Sequence, residues 1–151
     1  MSLAEEVDLL KRIPLFANIE TSKLKLLAFT SERVTFRAGQ TLITQDEIGH
    51  EAFIIIDGEA EVIVRTPDGP RVVATVTRND VVGEIAILCD VPRTATVTAK
   101  TDVVTLCITK DLFFRLITEF PQIAIEIMRE LASRLDRTTK QIAQMRRQGD
   151  A

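Results

Sequence analysis

Histidine is nearly missing from this chain: His50 is the only one among 151 residues. A metal-dependent oxygenase or isomerase needs a set of two or three histidines plus a carboxylate, and a haem or iron–sulfur sensor needs clustered His or Cys. No nucleophile elbow, Cys–His pair or Walker loop is present either. The sequence therefore predicts a protein that is not an enzyme and holds no metal. Cysteine is almost as scarce. Cys89 and Cys107 are too few for a disulfide framework, and each sits in an apolar run, so both read as reduced core residues of a cytosolic protein. Cys89 has no base in its sequence neighbourhood to make it a reactive thiol.

Long hydrophobic runs are absent as well. Stretches such as 52–56 fall far short of the roughly 20 residues that span a bilayer. The N-terminal MSLAEEVDLLKR is acidic and has no signal-peptide core. These features predict a cytoplasmic protein with no membrane span. Basic residues are not in excess: a net charge of -3 and a pI near 5.3 argue against nucleic acid as a general partner.

What is present suffices for one domain over residues 1–151, with 46% hydrophobic residues to build a core. Residues 3–11 and about 21–29 have helical spacing, with Thr21 and Ser22 as cap candidates for the second helix. From about 31 to 109 the texture changes to short runs rich in Val, Ile, Thr and Phe. Turn signals separate them at Ala38-Gly39, Ile48-Gly49, Asp57-Gly58, Pro67-Asp68-Gly69-Pro70 and Arg78-Asn79-Asp80. Their recurrence at roughly 8 to 12 residues is the rhythm of a small sandwich or jelly roll. Asp57-Gly58, between AFIII and EAEVIV, reads as the strongest hairpin signal. After Thr109 the pattern turns helical, with a short helix from Lys110 to Ile117. Pro121 then suits the first turn of a long helix running to about Arg147. The expected fold is mainly β with flanking helices: N-terminal helices over 1–30, a β-barrel over 31–109, and C-terminal helices over 110–148.

One stretch is chemically odd. GEIAILCDVPRTATV, residues 83–97, is mostly apolar yet holds Glu84 and Arg93, nine positions apart. Buried charges are tolerated when paired with each other or with a ligand. A strand break at Gly83 before a helical turn, Glu84 to Leu88, would expose successive backbone N–H groups as an anion cradle. Arg93 would add a planar, permanent charge suited to a phosphate, leaving Glu84 to accept hydrogen bonds from a sugar hydroxyl. The alternative is an internal Glu84–Arg93 salt bridge that shapes the turn, and spacing alone does not separate the two.

Gly83-Glu84-Ile85-Ala86 followed by Pro92-Arg93-Thr94-Ala95 resembles the phosphate-binding cassette of cyclic nucleotide-binding domains. LLKRIPLFANI (9–19), AGQTLITQDE (38–47) and AFIIIDGEAEV (52–62) resemble the first helix and strands of the same family, so the likeness covers nearly the whole chain. The resemblance implies a jelly-roll barrel of the double-stranded β-helix type that holds cAMP or cGMP as a regulatory ligand. It implies that Glu84 takes the ribose 2′-hydroxyl and Arg93 an exocyclic phosphate oxygen. Backbone groups of Gly83, Ile85 and Ala86, with Thr94 and the adjoining Ala95, would complete the cradle. Val82 stands where many family members have Phe, which removes pocket wall without touching the phosphate grip. The competing reading is a dimerising interaction module that binds no ligand, and the Glu84, Arg93, Thr94 set discriminates against it.

The long helix carries a second pattern. Met128, Leu131, Leu135, Thr138, Ile142 and Met145 are spaced three, four, three, four, three. That is a heptad seam, and it predicts a homodimer through paired C-terminal helices, with Ile123, Ala124 and Ile127 packing on the barrel instead. The segment RLDRTTKQI (134–142) resembles the dimer helix of the catabolite activator protein family, where a Thr-Ser pair reaches the adenine amino group. Thr138 and Thr139 stand where that pair would stand. In that family a helix-turn-helix follows. None follows here, so binding of nucleic acid by this chain alone is not expected. Arg134, Arg137, Lys140, Arg146 and Arg147 read as a solvated basic face.

Overall fold

The run at 52–56 does not alternate between apolar and polar residues, and its strand is buried on both faces. The computed structural model describes residues 2–13 and 16–149, and among those every side chain except the ones at 130, 134 and 148. Arg134, counted above with the basic face, therefore lies outside the described side chains. Two helices, α1 (Leu3–Lys11) and α2 (Thr21–Thr30), precede β1 (Glu32–Phe36), β2 (Thr41–Ile43), β3 (Glu51–Asp57), β4 (Ala60–Thr66), β5 (Gly69–Val76) and β6 (Val81–Val82). Then come α3 (Glu84–Cys89), β7 (Thr96–Ala99), β8 (Val103–Thr109), α4 (Lys110–Glu119) and α5 (Pro121–Gly149). The strands form two antiparallel four-stranded sheets, in the orders β1-β8-β3-β6 and β2-β7-β4-β5. This mainly β architecture with flanking helices is the jelly roll the sequence predicts.

Two apolar cores explain the sequence texture. Phe53 and Ile55 of β3 pack with Leu42, Ile43, Val82, Val97, Val103 and Cys107 in the barrel interior. Ile54 and Ile56 of the same strand pack outside it, with Leu106 and Ile108 of β8, against Leu10, Leu24, Leu27, Leu116, Ile123 and Ile127 of the helices. A strand between two cores has no solvent face and needs no polar positions. By contrast β5, at the end of its sheet, is largely exposed.

Capping accounts for several helix ends. The Ser2 hydroxyl accepts from the Glu5 amide at 3.2 Å, and the Thr109 hydroxyl from the Leu112 amide at 3.2 Å. Thr21 and Ser22 do not cap α2. Glu20 holds that position without a side-chain cap bond, and its carbonyl accepts from Lys23 and Leu24 at 3.1 Å each. Burial of Ile19 just before it sets the chain's entry one residue earlier than the hydroxyls suggest.

Asp57-Gly58 is not a hairpin, because β3 and β4 belong to different sheets. The Glu59 carbonyl accepts from the amides of Lys100 (2.9 Å) and Thr101 (3.2 Å) in the loop that also crosses between sheets, from β7 to β8. The turn signal specifies a change of direction, while burial of both faces of β3 specifies its partners as β8 and β6. The tight hairpin is instead at Pro67-Asp68, where Thr66 pairs with Gly69. Among the described residues, no helix is long and apolar enough to cross a membrane.

Candidate functional site

Arg93 organises the site through its main chain and its side chain. Its amide donates to the Glu47 carbonyl at 2.8 Å and its carbonyl accepts from Asp46 at 2.9 Å, which zips the Pro-Arg segment to the loop before β3. The guanidinium, in a residue only 6% exposed, donates from Nη1 to the Gly83 carbonyl at 3.1 Å and from Nη2 to the Glu51 carbonyl at 2.7 Å. Carbonyl oxygens fix the fork without cancelling its charge. Burial presses the guanidinium below the ordinary arginine value, opposed by the negative charge of Glu51 and, less strongly, of Glu84.

Two glycines make this placement possible. A Cβ on Gly49 would lie 2.1 Å from Arg93 Nε, so the loop clears the side chain only because nothing projects there. Gly83 has φ of +88°, a region that glycine enters without strain, and a Cβ there would meet Nη1 at 2.6 Å. Gly83 is also the N-cap of α3, which no side chain caps. The first amides of a helix have no partner within it, so this turn offers donors next to a fixed cation.

A cleft of ≈ 240 Å³ is lined by Ile43, Gly83, Glu84, Ile85, Ala86, Arg93 and Thr94. Six of the residues singled out from sequence thus meet around one space. Val82 and Ala95 do not line it: both are buried, and Val82 faces the barrel interior in register with Phe53. Thr138 and Thr139 are exposed on α5 and do not line the cleft either.

Three contributors escaped the sequence reading. Ile43 looked like one more strand residue, and Gly49 looked like a turn when its role is clearance. Glu51 acts on Arg93 through its carbonyl, which any residue type would supply. Its carboxylate does further work: Cys107 Sγ donates to Glu51 Oε2 at 2.8 Å. Burial, then this bond and the charge of Glu51, push the Cys107 thiol up to about 12. Cys107 is the buried core thiol the sequence predicts, whereas Cys89 is exposed. Cys89 shares the outward side of α3 with Ile85, four residues earlier, while Ala86 and Ile87 turn inward.

On the long helix, Ile123 and Ile127 are buried against the outer core, as predicted, and half-buried Leu131 joins them. The rest of the stripe is open: Met128, Leu135, Ile142 and Met145 are all exposed. Among the described residues, no group of three or more His, Cys, Asp or Glu side chains is placed to hold a metal.

Comparison with known proteins bears on the whole of this arrangement. Residues 33–120 match the family model of the cyclic nucleotide-binding domain. The chain is 35% identical over 122 residues to the cAMP-dependent protein kinase regulatory subunit of Schizosaccharomyces pombe, covering 81% of this chain and 28% of the relative. It is 31% identical over 139 residues to the CRP-like cAMP-activated global transcriptional regulator of Mycobacterium tuberculosis, covering 91% of this chain and 62% of the relative. The chain therefore spans less than two thirds of either relative's length. Among solved structures, the N-terminal domain of a transcriptional regulator from Streptomyces coelicolor superposes with a TM-score of 0.76 at 30% identity, covering 88% of this chain and 93% of that one.

Proposed function

The chain belongs to the cyclic nucleotide-binding domain family, and we propose that it is a regulatory cAMP sensor whose cleft holds the nucleotide and whose C-terminal helix reports it. The observation that carries this reading is Arg93: a buried guanidinium, fixed by two carbonyls, bordering a cleft beside the uncapped first turn of α3. In this reading Arg93 binds an exocyclic phosphate oxygen. The first-turn amides of α3 and the Thr94 hydroxyl complete the cradle, and Glu84 accepts from the ribose 2′-hydroxyl. The site's business is binding and not catalysis, in keeping with the regulatory relatives and with a cytoplasmic role. The bonds that orient Arg93 run to the carbonyls of Gly83 and Glu51, which are neutral and leave its charge to a ligand's phosphate.

The output is a homodimer through α5. Exposed Met128, Leu135, Ile142 and Met145 support a seam that a second copy covers. Thr138 and Thr139 sit on this helix, and each would reach an adenine N6 amino group of bound cAMP. Guanine offers a carbonyl there, which a rotating hydroxyl still serves, so cAMP is favoured over cGMP by roughly tenfold, about 1.4 kcal/mol. A ligand that touches the helix better in one arrangement shifts the equilibrium towards that arrangement.

Calorimetry tests the reading. cAMP is expected to bind with micromolar or better affinity, and Arg93→Ala to weaken it ten- to hundred-fold, since charge-assisted hydrogen bonds are worth about 1.5–3 kcal/mol each. No heat with either nucleotide at millimolar concentration would leave the dimerising module without a ligand as the better account.

A further inference from the structure

Glu51 is an anomaly in an anion-binding site. Side chains alternate along a strand, so Glu51 shares the inward side of β3 with Phe53 and Ile55, which pack in the barrel interior. Its carboxylate accordingly meets the inward thiol of Cys107, two residues away along β8 from Glu51's own register partner, Thr109. The same residue's carbonyl holds Arg93 Nη2. A negative charge on a solvent-exposed residue, oriented by one thiol, thus stands next to the one buried cation of the described cleft. Its attraction for Arg93 exceeds that of Glu84.

We propose that Glu51, oriented by Cys107, is an affinity-setting counter-ion: it competes with the ligand's phosphate for the field of Arg93 and holds the affinity below what the cradle alone would deliver. This rests on the cyclic nucleotide reading of the cleft and deepens it. Two like charges around one guanidinium repel, and each weakens the other's hold on it. The thiol's part is to stay protonated and donate, which its raised pKa ensures, so that the carboxylate keeps one position and spreads part of its charge onto the S–H. Arg93 would be oriented all the same without the carboxylate, because the orienting group is the main-chain carbonyl.

That separation makes the proposal testable by a gain of function. Glu51→Gln keeps an acceptor for the thiol and the carbonyl for Arg93 but removes the charge. In calorimetric titrations with cAMP it should bind about three- to tenfold tighter than wild type, the scale of one charge at a partly solvated site, and the gap should narrow as salt rises. Cys107→Val, nearly isosteric, frees the carboxylate to turn towards Arg93. It should weaken cAMP binding about two- to threefold in the wild-type background, and leave binding unchanged when Glu51→Gln is also present, a coupling that packing alone would not produce. Unchanged or weaker binding by Glu51→Gln, with an unchanged melting temperature, overturns the proposal and leaves the cleft's assignment standing. An equal Cys107→Val effect in both backgrounds overturns the thiol's part. Absence of heat in wild type and Glu51→Gln alike overturns the cleft's assignment itself.

Discussion

The cassette around Arg93 and the distal half of α5 both break the rule that apolar groups go inside and charges outside, in opposite directions. In the cassette a guanidinium is buried, and the chain closes around it with two carbonyls and two glycines that leave it room. In the distal helix an apolar stripe is exposed, and the described chain folds nothing onto it: Leu135 is 68% exposed, against 3% for Ile127 two turns earlier. A misplaced charge that is fully braced is a built feature of the monomer. A misplaced apolar stripe at heptad spacing is, in the proposed reading, half of an interface that a second copy completes. Stability data on the monomer would therefore report on the first and be blind to the second.

The strongest way to break the comparison is Leu135→Glu. It sets like charges face to face in the proposed seam, and sedimentation velocity should show a dimer converted to monomer while the melting behaviour of the diluted protein barely moves. A wild type that sediments as a monomer at high concentration would remove the interface from the account. Next in size is the contrast within α5. Ile127→Ala should cost about 2–5 kcal/mol in chemical denaturation, as buried large-to-small changes do, whereas Leu135→Ala on the monomer should stay within about 0.5 kcal/mol. Equal costs would mean the stripe is already packed. On the cassette side, Gly49→Ala pushes the Arg93 side chain out of its slot. It should lose cAMP binding about as far as removing the guanidinium does, ten- to hundred-fold or about 1.5–3 kcal/mol, with sedimentation unaffected. Retained affinity would show that the slot is not what presents the charge. The smallest effect expected links the two regions. Thr138→Ala should erase the roughly tenfold preference for cAMP over cGMP, about 1.4 kcal/mol, in competition binding. Equal affinities in wild type, or a preference the substitution leaves untouched, would separate cleft from helix. A cGMP preference removed by Thr94→Ala would establish the opposite selectivity.

Much of this was legible in the residues themselves. The order of helices and strands follows from hydrophobic period, caps and turn residues, all of which act over a few positions. α3 came out within one residue, because a glycine before an apolar turn is a local signal. The charged pair of the cassette was legible because ionised residues in an apolar run demand a partner. Less legible was everything that depends on which segments meet. Gly49 gives the same turn signal as any loop glycine, and its clearance of Arg93 across 44 positions of chain is visible only when both are in place. Cys89 and Cys107 have similar neighbours in sequence. One faces out because α3 is too short to bury more than one side, and the other faces in because β8 lies between two cores.

The sequence by itself determined the local conformations, the both-sides-buried character of β3, and the presence of a cation and a carboxylate that had to be matched. These follow from propensity and from the cost of burying apolar or ionised groups in the wrong solvent, and neither requires knowing the neighbour. Tertiary structure alone decided that Asp57-Gly58 turns a corner between sheets, that Arg93 is braced by the Gly83 and Glu51 carbonyls, and that Cys107 donates to Glu51. The physical reason is that main-chain carbonyls are the same at every residue and sheet partners are chosen by long-range burial, so no side-chain pattern encodes which of them will converge.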